Sequence, residues 1–216
     1  MTDLYDISPP LTADTAVFPG DTALSRHVSL RIADGQPVTL SSLRATVHLG
    51  AHVDAPSHYA ADGAGIEETP LSRLLGPCRV AHVEGSDRLI GPESLIDSLA
   101  DGESLPPRVL LATGSYPDPT QWTPDFVALD PTAMDWLASA GVRTVGIDTP
   151  SVDPADSKEL PAHAAARRHG ITILEGLVLL DVPAGDYELI ALPLRLVGFD
   201  GSPVRAVLRQ MSTDRS

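Results

Sequence analysis

Short apolar blocks recur along the chain at intervals set by Gly and Pro. Seven read as strands: LSSLRATVHLGAHV (40–53), CRVAHVE (78–84), RVLLAT (108–113), RTVGIDT (143–149), ITILEGLVLLDV (171–182), YELIALPL (187–194) and PVRAVLRQ (203–210). They are rich in Val, Ile, Leu and Thr, the residues that fit a pleated surface. Four other stretches carry helix signals. Thr69-Pro70 opens a short one that stops at Gly76, Pro92 opens PESLIDSLA, and Asp130-Pro131 opens PTAMDWLASA, which stops at Gly141. A fourth, near AHAAARRHG, ends at Gly170. Proline in a first turn and glycine past a last turn are the expected punctuation. Helices alternate with strands and the last third is mostly strand. This predicts an α/β class: one compact domain with a mixed β-sheet and flanking helices, its strand order left open.

Composition narrows the class without changing it. A chain of 216 residues that is 43% hydrophobic and 20% charged suits one soluble globular domain. We place that domain at 1–210 and expect a flexible tail at 211–216. The net charge of −14 opposes nucleic acid and anionic membranes as partners. No apolar run reaches the ~18 residues a membrane span needs. The N-terminus lacks the basic and apolar regions of a secretory signal, so a cytoplasmic protein is expected. Cys78 is the sole cysteine, and its neighbours, GPCRV, read as a buried strand start.

Chemistry concentrates in HLGAHVDAPSH, which holds three of the seven histidines. A helical HxxxH is disfavoured by Gly50, by the flanking Val47 and Val53, and by Pro56. In an extended chain, side chains alternate between faces. Leu49, Ala51, Val53 and Ala55 then form an apolar face. His48, Gly50, His52 and Asp54 form the other, with Gly50 leaving room for an ion or substrate to approach. Pro56 ends the strand and His58 follows in the turn. A solvated strand face is the plain alternative, but imidazoles with a carboxylate are a ligand set for zinc and its neighbours.

Such a strand supplies half a site. His163, in a polar loop-to-helix region, and Glu175, inside an apolar strand, are the candidates for the rest. A buried carboxylate is costly unless paired or metal-bound, and a pair with Arg167 or Arg168 is the alternative for Glu175. His27 and His82 read as structural, and His169 as a favourable charge at a helix C-terminus. Ser115 lacks a GxSxG frame, and no phosphate loop or dinucleotide fingerprint is present.

HLGAHVDAPSH resembles the HxGxHxDxPxH signature of the metal-dependent cyclase-like hydrolases. DISPPL, FPGDT, LGPCRV, GIDTPSVDP with the SK that follows, ILEGLVL, GDYELIALPL and SPVRAVLR extend the likeness nearly end to end, toward the kynurenine formamidase (arylformamidase) branch. The resemblance implies a swivelling β/β/α arrangement, a homodimer and two zinc ions per subunit, with manganese as an alternative. It implies that His48, His52 and Asp54 hold the first ion, that His163 holds the second, and that Asp54 and Glu175 touch both. It implies that His58 is the catalytic acid/base and that Phe18 binds substrate at a position often occupied by Trp. The expected reaction is hydrolysis of N-formyl-L-kynurenine to L-kynurenine and formate in tryptophan catabolism. A related hydrolase acting on a cyclic amide such as isatin, or a non-catalytic metal-binding protein, is the alternative.

Overall fold

The computed structural model describes residues 4–83, 88–99 and 104–211. In chain order the strands are β1 (Leu4–Asp6), β2 (Ser25–Leu30), β3 (Leu40–Arg44), β4 (His52–Asp54), β5 (Leu75–His82), β6 (Leu89–Ile90), β7 (Arg108–Ala112), β8 (Ala128–Leu129), β9 (Thr144–Ile147), β10 (Thr172–Glu175), β11 (Gly185–Ile190), β12 (Gly201–Pro203) and β13 (Val207–Gln210). The helices are α1 (Pro56–Tyr59), α2 (Pro92–Leu99), α3 (Pro131–Ser139) and α4 (Pro161–His169). Nine strands form one mixed sheet in the order β1-β13-β11-β5-β7-β9-β10-β4-β12. Its centre, β5-β7-β9-β10, is parallel, and antiparallel strands extend it on both sides.

Parallel strands crossed over by helices are covered on both faces, so their side chains divide between two cores. Val109 and Leu111 of β7, Val145 and Ile147 of β9 and Ile173 of β10 cluster with Leu95, Met134, Leu137 and Ala166 from α2, α3 and α4. Leu110 and Leu174 belong to the other cluster, with Val53, Val80, Leu177, Tyr187 and Leu189. Cys78 is buried there, as expected, and burial pushes its thiol up to about 12. The sheet thus puts the end of β10 beside β4, with Glu175 paired to His52 and Leu174 to Val53.

Several expected elements differ: the strands expected over 171–182 and 187–194 end at Glu175 and Ile190, and the one expected over 203–210 is divided between β12 and β13, which lie far apart in the sheet. The segment 70–76 is a single 3-10 turn, Leu71–Arg73, because β5 already begins at Leu75. The long strand over 40–53 splits: β3 pairs with β2 in a separate two-stranded arm, and ladder structure resumes only at His52. His58 lies in the one-turn helix α1, whose Pro56 occupies the first turn, and not in an open turn. Helices α2 and α3 begin at the expected prolines, α4 begins at Pro161, and Gly170 ends α4 in the left-handed conformation as expected. Glu84, Ala100 and tail residues 212–216 lie outside the described residues.

Candidate metal centre

The break at 45–51 is what gathers the first ligands. Gly50 has φ +57, and a side chain there would meet Leu11 Cδ2 at 2.6 Å and Pro9 Cγ at 3.1 Å. The glycine is therefore required by a left-handed turn packed on the 9–11 segment, and not simply by ion access. Its carbonyl accepts the Nδ1–H of His52 at 2.8 Å, which leaves His52 Nε2 as a lone-pair donor. The apolar partners in the same segment, Leu49, Ala51, Val53 and Ala55, are all buried as the alternation predicts. Gly201 of β12, opposite Asp54 in the ladder, leaves space for His48: a Cβ there would stand 2.9 Å from His48 Cε1.

Four imidazoles and two carboxylates meet where β4, α1, β10 and α4 converge. Asp54 Oδ1 lies 3.0 Å from His48 Nδ1 and 3.5 Å from His52 Nε2, while its Oδ2 lies 3.3 Å from His163 Nε2. Glu175 repeats the pattern: Oε2 is 3.3 Å from His52 Nε2 and Oε1 is 3.7 Å from His163 Nε2. Each carboxylate therefore turns one oxygen to the His48/His52 side and the other to His163. Glu175 does not pair with Arg167 or Arg168, which bind Asp62 and Asp135 instead. His58 stacks near His48 with ring centroids 4.0 Å apart, and its centroid is 6.0 Å from that of His163. His27 and His82 stand apart: His27 is on the exposed β2, and His82 donates to the Val182 carbonyl at 2.7 Å. His169 pairs with Asp135 at 2.7 Å at the end of α4.

The electrostatics are those of clustered anions drawing positive charge into a buried place. Burial alone would lower His48, but Asp54 and then Asp200 outweigh it and push the imidazole up to about 9. His163 is likewise pushed up to about 10 against its burial, by Asp153 and Asp54. His52 rises through Glu175 and Asp54 despite complete burial. Asp54 is held well below the usual carboxylate range, since the surrounding imidazoles overcome its desolvation. His58 moves the other way: burial lowers it, and the charges of Asp54 and Glu175 only partly offset this. Donor atoms of His48, His52 and Asp54, and separately of Asp54, His58 and His163, lie within 4.8 Å of one another. A cation in this place replaces those protons with the same compensating charge, so the donor set fits a divalent metal.

Two outer carboxylates carry no distinctive sequence cue. Asp153 is fully buried; it accepts the backbone N–H of Ala162 and His163 at the start of α4 and lies 2.7 Å from His163 Nδ1. It caps the helix from a distance and leaves His163 Nε2 facing Asp54 and Glu175. Asp200 Oδ2 lies 3.0 Å from His48 Nε2, although Asp-Gly in sequence reads only as a turn. Trp122, in a polar loop, is a further residue the pattern conceals. Its ring packs edge-on against Phe18 with centroids 4.7 Å apart, and both line a cavity of about 700 Å³ that also reaches His48, His52, His58, His163 and Glu175.

A nine-stranded mixed sheet with flanking helices and a His/Asp/Glu centre at the end of its parallel strands defines a metal-dependent hydrolase of the cyclase fold. The family model described as "Putative cyclase" matches residues 5–154, and the chain belongs to this family. It is a homologue of the kynurenine formamidase of Bordetella pertussis (strain Tohama I), with 50% identity over 98% of this chain and 100% of that protein. The solved structure of a predicted metal-dependent hydrolase from Bacillus stearothermophilus is 29% identical, with a TM-score of 0.82 over 98% of this chain and 100% of that one. Isatin hydrolase A from Labrenzia aggregata shares the fold, with 22% identity and a TM-score of 0.82 over 98% and 94% of the two chains.

Proposed function

We propose that this chain is an arylformamidase that hydrolyses N-formyl-L-kynurenine to L-kynurenine and formate with two bound zinc ions per subunit. One observation carries the reading. In a chain half identical to a kynurenine formamidase, two carboxylates each divide their oxygens between a His48/His52 side and a His163 side, beneath a cavity with an aromatic wall. His48, His52 and Asp54 would hold one ion, His163 the other, and Asp54 and Glu175 would contact both. Bound there, the metal supplies a Lewis acid and lowers the pKa of its water toward neutrality. Manganese suits the same N/O donors.

The chain's own groups account for the rest. His58, with 35% of its side chain exposed, is pushed below its ordinary range by desolvation on its covered side, so it is neutral at pH 7 and can take a proton from water. It then delivers that proton to the aryl amine as the C–N bond breaks, a transfer typically worth about 10²–10⁴ in rate. Phe18 and Trp122 offer ring faces and edges to the substrate's aryl group. Buried Leu177 and Leu179, with Pro150, give the cavity an apolar wall beside the reacting amide.

The same reading extends to the swivelling β/β/α classification, a homodimer, a single domain over 1–210 with a short tail from 211, and a cytoplasmic place in tryptophan catabolism. Among the described residues no helix is long and apolar enough to cross a membrane. The test is a rate comparison on N-formyl-L-kynurenine and isatin with metal-loaded protein. Formate release from the first at a rate at least tenfold above ring opening of the second supports the proposal. Preference for isatin, or turnover of neither, overturns it.

A further inference from the structure

We infer that Asp200 is a positioning residue for this centre, holding the ligand His48 and the proton carrier His58 in register from outside the ligand set. The inference rests on the metal-dependent formamidase reading and adds to it a residue that the family signature does not contain.

Three observations converge. First, one oxygen of Asp200 serves both rings: Oδ2 is 3.0 Å from His48 Nε2 and 3.7 Å from His58 Nδ1. Among the described residues, both ion-pair partners of Asp200 are these imidazoles, so the carboxylate is not a generic surface charge answering a lysine or arginine. Second, its main chain is tied to the element that bears the site. The Asp200 carbonyl accepts the N–H of Ala55 at 2.9 Å, between the ligand Asp54 and the helix that carries His58. The next residue, Gly201, pairs with Asp54 in the β12–β4 ladder. Third, Gly201 has no Cβ where one would press on His48 Cε1 at 2.9 Å, so the ring can close onto Asp200. The side chain is half-exposed, yet its backbone is held by a sheet.

The consequence is geometric. A histidine ligand normally donates its second ring N–H to a carboxylate, which fixes tautomer and ring plane. When Asp200 accepts the Nε2–H of His48, Nδ1 is left with its lone pair facing the Asp54 side. The same oxygen, 3.7 Å from His58 Nδ1, puts a negative charge that favours the ring orientation turning Nδ1 toward it, in an imidazole stacked 4.0 Å by centroid from His48. His52 and His163 have their own fixed acceptors, the Gly50 carbonyl and Asp153. Asp200 completes the set for His48 and is the one that also reaches the proton carrier.

The experiment compares wild-type protein with Asp200→Ala and Asp200→Asn, all metal-loaded. It measures kcat and KM on N-formyl-L-kynurenine, metal release to a chromophoric chelator, and the unfolding temperature. Removing an outer carboxylate of this kind typically costs about 10–100-fold. Asp200→Ala is expected to lose that much in kcat, to keep KM within about threefold, and to release metal faster by a similar factor, with the loaded protein still folded at the assay temperature. Asp200→Asn keeps an acceptor oxygen at the same reach and is expected to recover most of the metal retention. Three results overturn the inference: Ala within twofold of wild type in both kcat and metal release; Asn no better than Ala in either readout; or activity lost only in step with unfolding. Wild-type protein that turns over no formylkynurenine sinks the formamidase reading alone, and the chelator comparison still decides what Asp200 does for His48.

Discussion

His58 and His52 are six residues apart in sequence, yet the site gives them different work. His52 Nε2 faces both Asp54 and Glu175, whereas among the described residues His58 meets no carboxylate closer than the 3.7 Å of Asp200. We predict that His58→Ala keeps its metal and loses about 10²–10⁴ in kcat. Metal loss in that variant, seen by elemental analysis, would instead make His58 a ligand. His52→Ala or Asp54→Ala is expected to lose metal and activity together, since His52 Nε2 faces both Asp54 and Glu175 and Asp54 divides its oxygens between the two sides of the centre. Full occupancy in both purified variants contradicts that. Trp122→Ala removes the ring packed on Phe18 and is expected to raise KM by about tenfold with kcat less affected, the signature of lost uniform binding. An unchanged KM would move the aryl subsite elsewhere.

At the scale of elements, the alternation over 48–55 placed every side chain on its correct side, but for a partly different reason. Only His52–Asp54 is strand; Gly50 turns the chain before it. The left-handed angle depends on packing from Pro9 and Leu11, forty residues earlier in the chain, and no local pattern encodes that contact. Gly50→Ala is therefore expected to destabilise the fold by about 1–3 kcal/mol, through backbone strain and the Leu11 contact. A denaturant midpoint matching wild type would contradict this. His163 and Glu175 were legible because a helix start and an apolar strand each carried a residue out of place. Asp153 and Asp200 were not, because their roles arise from tertiary neighbours: the start of α4 for one, the β12–β4 ladder for the other. The β2–β3 arm escaped for the opposite reason. Its residues are almost all exposed, so no buried face marks where one run of apolar residues leaves the main sheet.

The whole molecule couples metal, protons and stability through the same imidazoles. In metal-free protein His48 and His163 are raised to about 9 and about 10, so both hold protons at pH 7. A raised folded-state value stabilises the fold below the ordinary 6.5 and is lost as pH climbs through 9 and 10. Metal-free protein is therefore expected to lose stability between pH 7 and pH 10. Metal must displace those protons, so its apparent affinity rises with pH over the same window. Competition titrations at pH 6.5 and 9 check the sign, and equal affinities would refute it. Chelation at neutral pH should lower the unfolding temperature by about 10 °C, if the ion is present at about a thousand times its dissociation constant.

The most direct measurement takes one purified sample and asks two things of it: how much metal it holds, and how fast it releases formate from N-formyl-L-kynurenine. We predict close to two zinc ions per chain and turnover that disappears on chelation and returns when zinc is restored. A fully loaded protein that releases no formate, or one whose turnover survives complete removal of metal, would contradict this.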